Sequence, residues 1–220
     1  MGSCFSFFTS KETTTTAAIA LSVSCDVRAP MDYVWDTVRD VSRQPHFLEF
    51  VLKTEPLTKV KKGSSLTAIA PENFVYEEGA TWKVRSSFHG VEYESIESIT
   101  SITVVNDENN KPIIRKVQIA SQISNFHPGT ILTATYTIQP LPNNYQNQDN
   151  NNDNDTVASC CCQLKATMAF LPSGCRGYLE HWIRGNRMRA SAQAIYYKEI
   201  RDYAAEAERR FRLKNNSSAM

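Results

Sequence analysis

The sequence predicts an α+β fold in which an antiparallel sheet is followed by one long C-terminal helix. Most segments between residues 19 and 170 alternate apolar and polar side chains with a period of two, as half-buried strands do. A helical period occurs briefly near residue 31 and again, for much longer, after residue 187. With 220 residues, 41% of them hydrophobic, and a formal net charge of +1, the chain fits one globular domain with tails.

The first predicted elements are a strand and one or two short helices. The alternation from Ile19 to Val27 predicts the strand. Pro30 follows at a position where the first turn of a helix tolerates proline, and a helix of about three turns is expected after it. Pro45 disfavours helical geometry at the residue before it, so a second short helix is expected from about Pro45 to before Val51. The apolar face of the first helix contains Met31, Val34, Trp35, Val38 and Val41.

The central part of the sequence predicts a series of antiparallel strands, each with one dry and one wet face. His89 and Gly90 offer a turn or bulge between two of them. The dry faces are expected to contain Ala80, Trp82, Val84, Ser86 and Phe88; Val117, Ile119, Ser121 and Ile123; Leu132, Ala134, Tyr136 and Ile138; and Cys160, Cys162, Leu164, Ala166, Met168 and Phe170.

The C-terminal segment is the strongest helix in the sequence and runs from Arg187 to Leu213. One or two earlier helical turns are expected from about Cys175 to Arg184, with a kink or break at Gly185. The apolar stripe of the long helix contains Ala192, Tyr196, Ile200, Tyr203, Ala204, Ala207 and Phe211. The opposite arc contains Lys198, Arg201, Asp202, Glu206 and Arg209.

Three polar segments set the expected domain boundaries. Residues 1–17 include the threonine-rich stretch TSKETTTT, which predicts a flexible N-terminal segment. An Asn/Asp-rich run at 142–156 has no apolar periodicity and predicts a disordered insertion in a loop between two strands. The folded domain is therefore expected to span residues 18–213, followed by a flexible tail at 214–220.

Cysteine and histidine spacing argues against a metal, and no cofactor is expected. Cys160, Cys161 and Cys162 are consecutive, and neighbours in a strand point to opposite faces, so they read as buried small side chains in a reducing compartment. The four histidines are scattered without the spacing of metal ligands. No run approaches the roughly 18 to 20 apolar residues that a membrane-spanning helix needs.

The first six residues, MGSCFS, match a pattern for lipid attachment. Gly2 becomes the N-terminal residue once Met1 is removed, and Ser6 occupies the hydroxyl position of the myristoylation pattern. A single myristoyl chain binds membranes only marginally, at about 10⁴ M⁻¹, so a second signal is needed. Cys4 would supply it as a palmitoylation site. The sequence thus predicts a lipoprotein at the cytoplasmic face of a membrane.

The order of elements, and two segments in particular, carry a resemblance to a known superfamily. The entry segment VSCDVRAPMDYVWDTVRDVSRQPHFLEFV and the hairpin segment EEGATWKVRSSFHGVEYE resemble the START-like superfamily, also called SRPBCC, helix-grip or polyketide cyclase-like. The resemblance covers about residues 18–213. It implies a curved antiparallel sheet wrapped around the C-terminal helix. No invariant catalytic motif accompanies it, so fold analogy assigns no chemistry.

The same resemblance implies an internal apolar cavity, because a curved sheet closed on one helix is not filled by that helix alone. The small residues Ser86, Ser121, Ala134, Ala166 and Ala192 would leave room in it. The expected partner is a hydrophobic small molecule such as a lipid, sterol, isoprenoid or pigment, and no nucleic acid. The ligand-binding candidates are Trp82, Val84, Phe88, Val117, Ile119, Tyr136, Leu164, Met168, Tyr196, Ile200 and Tyr203.

Two alternatives to simple binding remain open from the sequence. The chain could be a cyclase or dehydratase for a polyketide-like substrate, with Tyr136 and Tyr196 orienting a carbonyl, although no catalytic residue is assigned. It could also be a regulatory adaptor with a collapsed pocket. A basic stretch before the long helix, with Arg184, Arg187 and Trp182, fits either a solvated helix face or a membrane-facing patch.

Overall fold

The computed structural model describes residues 19–59, 66–88, 90–123, 131–141, 162–171 and 174–217. The side chains at 19–20, 59, 131 and 171–189 lie outside that description. Several predictions therefore fall outside the described residues: the N-terminal segment with Gly2 and Cys4, the 142–156 insertion, and the side chains of the basic stretch.

The described strands form one eight-stranded antiparallel sheet in the order β1-β8-β7-β6-β5-β4-β2-β3. Strand β1 lies at one edge beside the last strand, while β2 lies beside β4 near the other edge, so the two helices between β1 and β2 connect opposite sides of the sheet. The strands are β1 (Ile19–Val27), β2 (Val51–Lys59), β3 (Leu66–Ala68), β4 (Thr81–Phe88), β5 (Val91–Asn106), β6 (Pro112–Ile123), β7 (Ile131–Pro140) and β8 (Cys162–Leu171).

The helical elements follow the predicted pattern. Helix α1 (Met31–Arg39) begins after Pro30, and its Val34, Trp35 and Val38 are buried. It is slightly shorter than three turns because a 3₁₀ turn, Val41–Arg43, follows it. Helix α2 (Gln44–Phe47) ends before Val51, as predicted, but the expected avoidance of helical geometry before Pro45 was wrong, since Gln44 is helical with φ -48° and ψ -42°. A second 3₁₀ turn, Pro71–Asn73, lies between β3 and β4.

The C-terminal helix α3 (Gly174–Ser217) packs on β1, α1, β8 and α2. The predicted break at Gly185 was wrong, since the helix runs through that residue. A glycine inside a helix costs only about 1 kcal/mol relative to alanine, so a long helix can contain one without ending there.

A further correction concerns Glu206, which the helical pattern placed on the solvent side. Glu206 is only 7% exposed. Arg210 Nε donates to Glu206 Oε1 at 2.8 Å, and Arg209 forms a second ion pair with the same carboxylate. Arg210 also donates to Asp40 at 2.9 Å, at the end of α1. The buried charge of Glu206 is thus compensated by cations one turn further along α3, a pairing that helical spacing predicts, whereas the contact of Arg210 with Asp40 depends on the packing of α1.

The predicted dry faces of β7 and β8 are buried at every described position, whereas those of β4 and β6 become half-buried toward Phe88 and Ile123; Cys160 lies outside the described residues. Alternate residues of β8, from Cys162 to Phe170, are all buried, and so are Leu132, Ala134, Tyr136 and Ile138 of β7. The pairing of β5 with β6 shifts register between Ile99 and Ser101, and that of β2 with β4 shifts near Val51. Such irregularities increase strand bending, which helps the sheet curve toward α3. The fold is the predicted helix-grip α+β fold.

Candidate functional site

The candidate site lies between the concave face of the sheet and α3. Nine of the eleven ligand-binding candidates named from the sequence are buried there: Trp82, Val84, Val117, Ile119, Tyr136, Leu164, Met168, Ile200 and Tyr203. Tyr196 is half-buried and packs against this cluster. Phe88 is half-buried too, and its ring lies 5.5 Å from that of Phe50. The fold therefore gathers most of these candidates, while their contact with a ligand stays a prediction.

A buried hydrogen bond joins the sheet to the helix inside this cluster. Tyr136 Oη on β7 donates to Glu199 Oε1 on α3 at 2.5 Å, and both residues are buried. Burial raises the pKa of Glu199 to about 8, with the charges of Glu97 and Asp202 adding to the rise and the Tyr136 hydrogen bond opposing it. Glu199 is thus a carboxyl group that can hold a proton near neutral pH.

A second carboxyl group, Glu97 on β5, lies in the same interior. Burial raises its pKa to about 7, against hydrogen bonds from Ser121 and Ser95. Ser95 Oγ donates to Glu97 Oε1 at 3.4 Å. Trp82 Nε1 also lowers the pKa of Glu97, but it does not form a hydrogen bond of normal geometry with that carboxyl group.

Helix α2 reaches the site through Gln44. Gln44 Nε2 donates to Tyr203 Oη at 2.8 Å, and both residues are buried. The Tyr203 ring lies 6.0 Å from Tyr136 and 5.5 Å from Phe47, edge to face in both cases. Burial raises the pKa of Tyr203 well above its usual value, and the charge of Glu199 adds to the rise. Tyr203 therefore stays protonated and available as a hydrogen-bond donor.

Two buried polar groups beside this network have no partner. Within the described residues, Tyr76 Oη and Trp82 Nε1 make no hydrogen bond. The two rings stack with centroids 6.3 Å apart. Burial raises the pKa of Tyr76, and the charge of Glu97 also contributes. Buried donors without partners are rare in native proteins, so each one marks a place where a further polar group fits.

Tyr196 is half-buried: it packs against the core cluster but keeps part of its surface accessible. Burial raises the pKa of Tyr196 well above its usual value, and the charges of Glu199 and Glu97 raise it further. The side chain packs against the buried cluster, three residues before Glu199 on α3. Even so, Tyr196 and Glu97 keep accessible surface and are not fully enclosed by neighbouring atoms.

No basic side chain in the described part of the chain pairs with Glu97 or Glu199. Lys198, the residue before Glu199 on α3, pairs instead with Asp202 at 3.6 Å and with Glu49. The described residues also contain no cluster of three His, Cys, Asp or Glu side chains suited to a metal ion. No described helix has the combination of length and apolar character needed to cross a bilayer.

Sequence reasoning missed both carboxyl groups, although each left a signal. Glu199 lies three residues after Tyr196 and four before Tyr203, which places it inside the apolar stripe of α3. Glu97 lies two residues before the buried Ile99, so the period of two places them on one face of β5. The sequence signal for each is an acidic residue at a position whose helical or strand period places it among buried residues.

Comparison with known proteins shows similarity of fold and not of sequence. No protein-family profile matches the chain, and no curated protein sequence matches it. Among solved structures, the Zhui aromatase/cyclase from Streptomyces sp. R1128 superposes with a TM-score of 0.50 at 14% identity, over 88% of this chain and 96% of that one. The protein TTHA0849 from Thermus thermophilus also gives a TM-score of 0.50, at 10% identity, over 86% of this chain and 96% of that chain.

A START superfamily protein from Mycobacterium smegmatis is a further structural neighbour. The superposition covers 90% of this chain and 99% of the Mycobacterium smegmatis chain, with 11% identity and a TM-score of 0.44. Identities this low speak for the fold alone. The strand order, the long C-terminal helix and the two neighbours with a TM-score of 0.50 together show that the chain has the helix-grip fold that its sequence predicts.

Proposed function

We propose that the chain binds a hydrophobic small molecule or lipid in a hollow between the sheet and α3. The observation that carries this proposal is the accessible surface kept by Tyr196 and Glu97, two side chains deep in the protein. Accessible surface at such depth is the wall of a hollow. The neighbouring small residues Ala134, Ala166 and Ser121 are 3%, 0% and 5% exposed, so other side chains fill the space beside them and the hollow lies on the side of Tyr196 and Glu97.

Burial of the ligand supplies the binding free energy. Enclosing about 200 Å² of apolar ligand surface gives on the order of 5 kcal/mol from transfer out of water, before the cost of association. The apolar walls discriminate weakly between ligands of similar size, since one methylene is worth only about 1–3 kcal/mol. The polar groups of the site therefore carry most of its selectivity.

The hollow is tested by filling it. Ser86 is half-buried on the inner face of β4, the face that also contains Trp82 and Val84. We expect Ser86→Leu to weaken binding of the neutral probe N-phenyl-1-naphthylamine about tenfold in a fluorescence titration. The matched control is Ala68→Leu on the exposed edge strand β3, which should bind the probe like the unaltered protein. Failure of the unaltered protein to bind the probe would contradict the proposal.

The second part of the proposal places the domain at the cytoplasmic face of a membrane, through myristoyl at Gly2 and palmitoyl at Cys4. The sequence pattern MGSCFS supports it. Because one myristoyl chain holds a protein on a membrane only weakly, a second acyl group at Cys4 would make the attachment stable. The test is fractionation of the protein from its own cells together with intact-mass measurement. Gly2→Ala is expected to move the protein to the soluble fraction, and Cys4→Ser to weaken its attachment; unchanged attachment of Gly2→Ala would refute the anchor.

A cyclase or dehydratase is the second candidate function, and the Tyr136–Glu199 pair favours it. A carboxyl group with a pKa of about 8 beside a tyrosine hydroxyl resembles the groups that transfer protons in enzymes working near neutral pH. The structural neighbour described as an aromatase/cyclase shares the fold, which by itself assigns no reaction. If the chain is such an enzyme, Tyr136→Phe and Glu199→Gln should each abolish turnover of a polyketide substrate while leaving its binding measurable.

A further inference from the structure

Two carboxyl groups face one interior space from opposite walls of the fold. Glu97 projects from β5 and Glu199 from α3. The charge of Glu97 acts on Glu199, and the charges of both act on Tyr196. In the sheet, Glu97 is paired directly with Trp82 of β4 and Ser121 of β6, which are both buried, so it shares their inner face. Glu199 hydrogen-bonds to Tyr136 of β7 from α3, so it faces the same interior from the other side, around the hollow proposed above.

This pair lacks a positive counterpart within the described part of the chain. The other groups that act on Glu97 and Glu199 are the hydroxyls of Ser95, Ser121 and Tyr136, the indole of Trp82 and the carboxylate of Asp202. Each of these is neutral or acidic near pH 7. Buried carboxyl groups are normally paired with cations, as Glu206 is with Arg209 and Arg210 in this same protein. The described cation that acts on a neighbour of this pair is Arg39, whose guanidinium lies 5.6 Å from the Tyr76 ring; it forms no ion pair with Glu97 or Glu199.

Unpartnered buried donors give an independent indication that a polar group belongs here. Tyr76 Oη and Trp82 Nε1 make no hydrogen bond among the described residues, and Tyr76 and Trp82 are 8% and 0% exposed. Both groups lie near Glu97. Tyr76 also acts on Tyr203, so it faces the same space as the network around Glu199. A polar group of a bound ligand can supply the partners that these two donors lack.

We propose that the hollow takes an amphipathic ligand with a protonated amine, whose ammonium group lies between Glu97 and Glu199. The apolar body of this ligand would lie beside Tyr196, toward the half-buried Phe88 of β4 and Ile123 of β6. This inference rests on the proposed function, since it concerns the same hollow. It adds the class of head group that the hollow accepts.

The chemistry favours an ammonium group over the other common heads of apolar molecules. An ammonium group donates three hydrogen bonds and supplies the positive charge that the two carboxylates lack. The nearby rings of Trp82, Tyr136 and Tyr203 add favourable cation–π contact. A hydroxyl group forms hydrogen bonds but neutralises no charge. A carboxylate head is repelled by Glu97 and Glu199.

Binding of an ammonium group is linked to proton release. Burial raises the pKa of Glu97 to about 7 and that of Glu199 to about 8, so the empty pair holds protons at pH 6. The tyrosines that face the pair, Tyr76, Tyr136, Tyr196 and Tyr203, stay neutral in this range because burial raises the pKa of each. Asp202 also faces Glu199, and burial raises its pKa too. Amine affinity is therefore expected to rise from pH 6 to pH 8.5, by up to about tenfold per pH unit for each proton released.

The experiment compares three probes with one ten-carbon chain: decylamine, 1-decanol and decanoate. Isothermal titration of the full chain at pH 8 is expected to give an affinity for decylamine at least tenfold above that for 1-decanol, with decanoate weakest. Glu97→Gln and Glu199→Gln should each reduce the decylamine affinity about tenfold and leave 1-decanol binding unchanged. Glu72→Gln, at an exposed position of the 3₁₀ turn Pro71–Asn73, is the matched control and should change neither.

The outcomes distinguish failure of the amine inference from failure of the proposed function. If none of the three probes binds, the proposed hollow itself fails. If 1-decanol binds as tightly as decylamine, and the glutamine variants bind both equally, the hollow stands and the amine inference is overturned. Circular dichroism checks that the variants fold. The pH series on the unaltered protein needs no variant, and a decylamine affinity that stays flat from pH 6 to pH 8.5 would also overturn the inference.

Discussion

The buried carboxyl group of Glu199 makes a specific prediction about the pH dependence of folding. Burial raises its pKa from 4.5 to about 8, so between these values the folded protein holds a proton that the unfolded chain has released. Stability must then fall as the pH rises through this window, because the unfolded state binds fewer protons. We expect Glu199→Gln to remove most of this fall, since glutamine occupies the same volume without titrating.

The size of the effect follows from the same shift. Each pKa unit corresponds to about 1.4 kcal/mol, so the full rise corresponds to a loss of at most about 5 kcal/mol between pH 4.5 and pH 8. The variant keeps an acceptor for the Tyr136 hydroxyl, which now donates to Glu199 at 2.5 Å. At pH 5 the added amide lacks a partner, which costs about 1–3 kcal/mol. The variant should therefore be less stable than the unaltered protein at pH 5 and more stable at pH 9.

Urea unfolding followed by tryptophan fluorescence at pH 5, 7 and 9 measures this difference. Glu97 remains in the variant, so some pH dependence persists, and it should end near pH 7, the pKa to which burial raises Glu97. Glu72→Gln, the surface control, should follow the curve of the unaltered protein. Parallel stability curves for Glu199→Gln and the unaltered protein would refute the claim that this carboxyl group is buried and holds a proton near neutral pH.

The remaining predictions concern packing, charge and backbone. Ile200→Ala removes a 0% exposed side chain from α3 and should lower the free energy of unfolding by about 2–5 kcal/mol, whereas Val104→Ala, at a 49% exposed position, should change it by less than about 0.5 kcal/mol in the same urea assay. Hydrogen bonds from Arg209 lower the pKa of Glu206 to about 2, so Glu206→Gln should cost about 1–2 kcal/mol at pH 7, and the cost should shrink as the pH falls from 4.5 toward 2, measured by thermal unfolding. Gly90 has a φ of +78° in the turn between β4 and β5, so Gly90→Ala should lower stability by about 1 kcal/mol although nothing nearby obstructs the added methyl group.

The sequence determined the order of elements and the faces that they bury. Alternation in β8 and the proline before α1 depend on residues close together in the chain, and local periodicity reports such features directly. The same holds for the inner positions of Trp82, Tyr136 and Tyr203. The continuation of α3 through Gly185 was not determined in this way, because a helix end depends on the balance between a small local cost and packing along the whole helix.

Only the tertiary structure decided what the interior of the site contains. Glu97 and Glu199 are separated by about half of the chain, and nothing local shows that β5 and α3 bring their carboxyl groups together. The buried position of Glu206 depends likewise on Arg210 reaching Asp40 from another helix. Periodicity reports which side of an element is dry, whereas the protonation and pairing of a buried charge depend on every group that surrounds it in space.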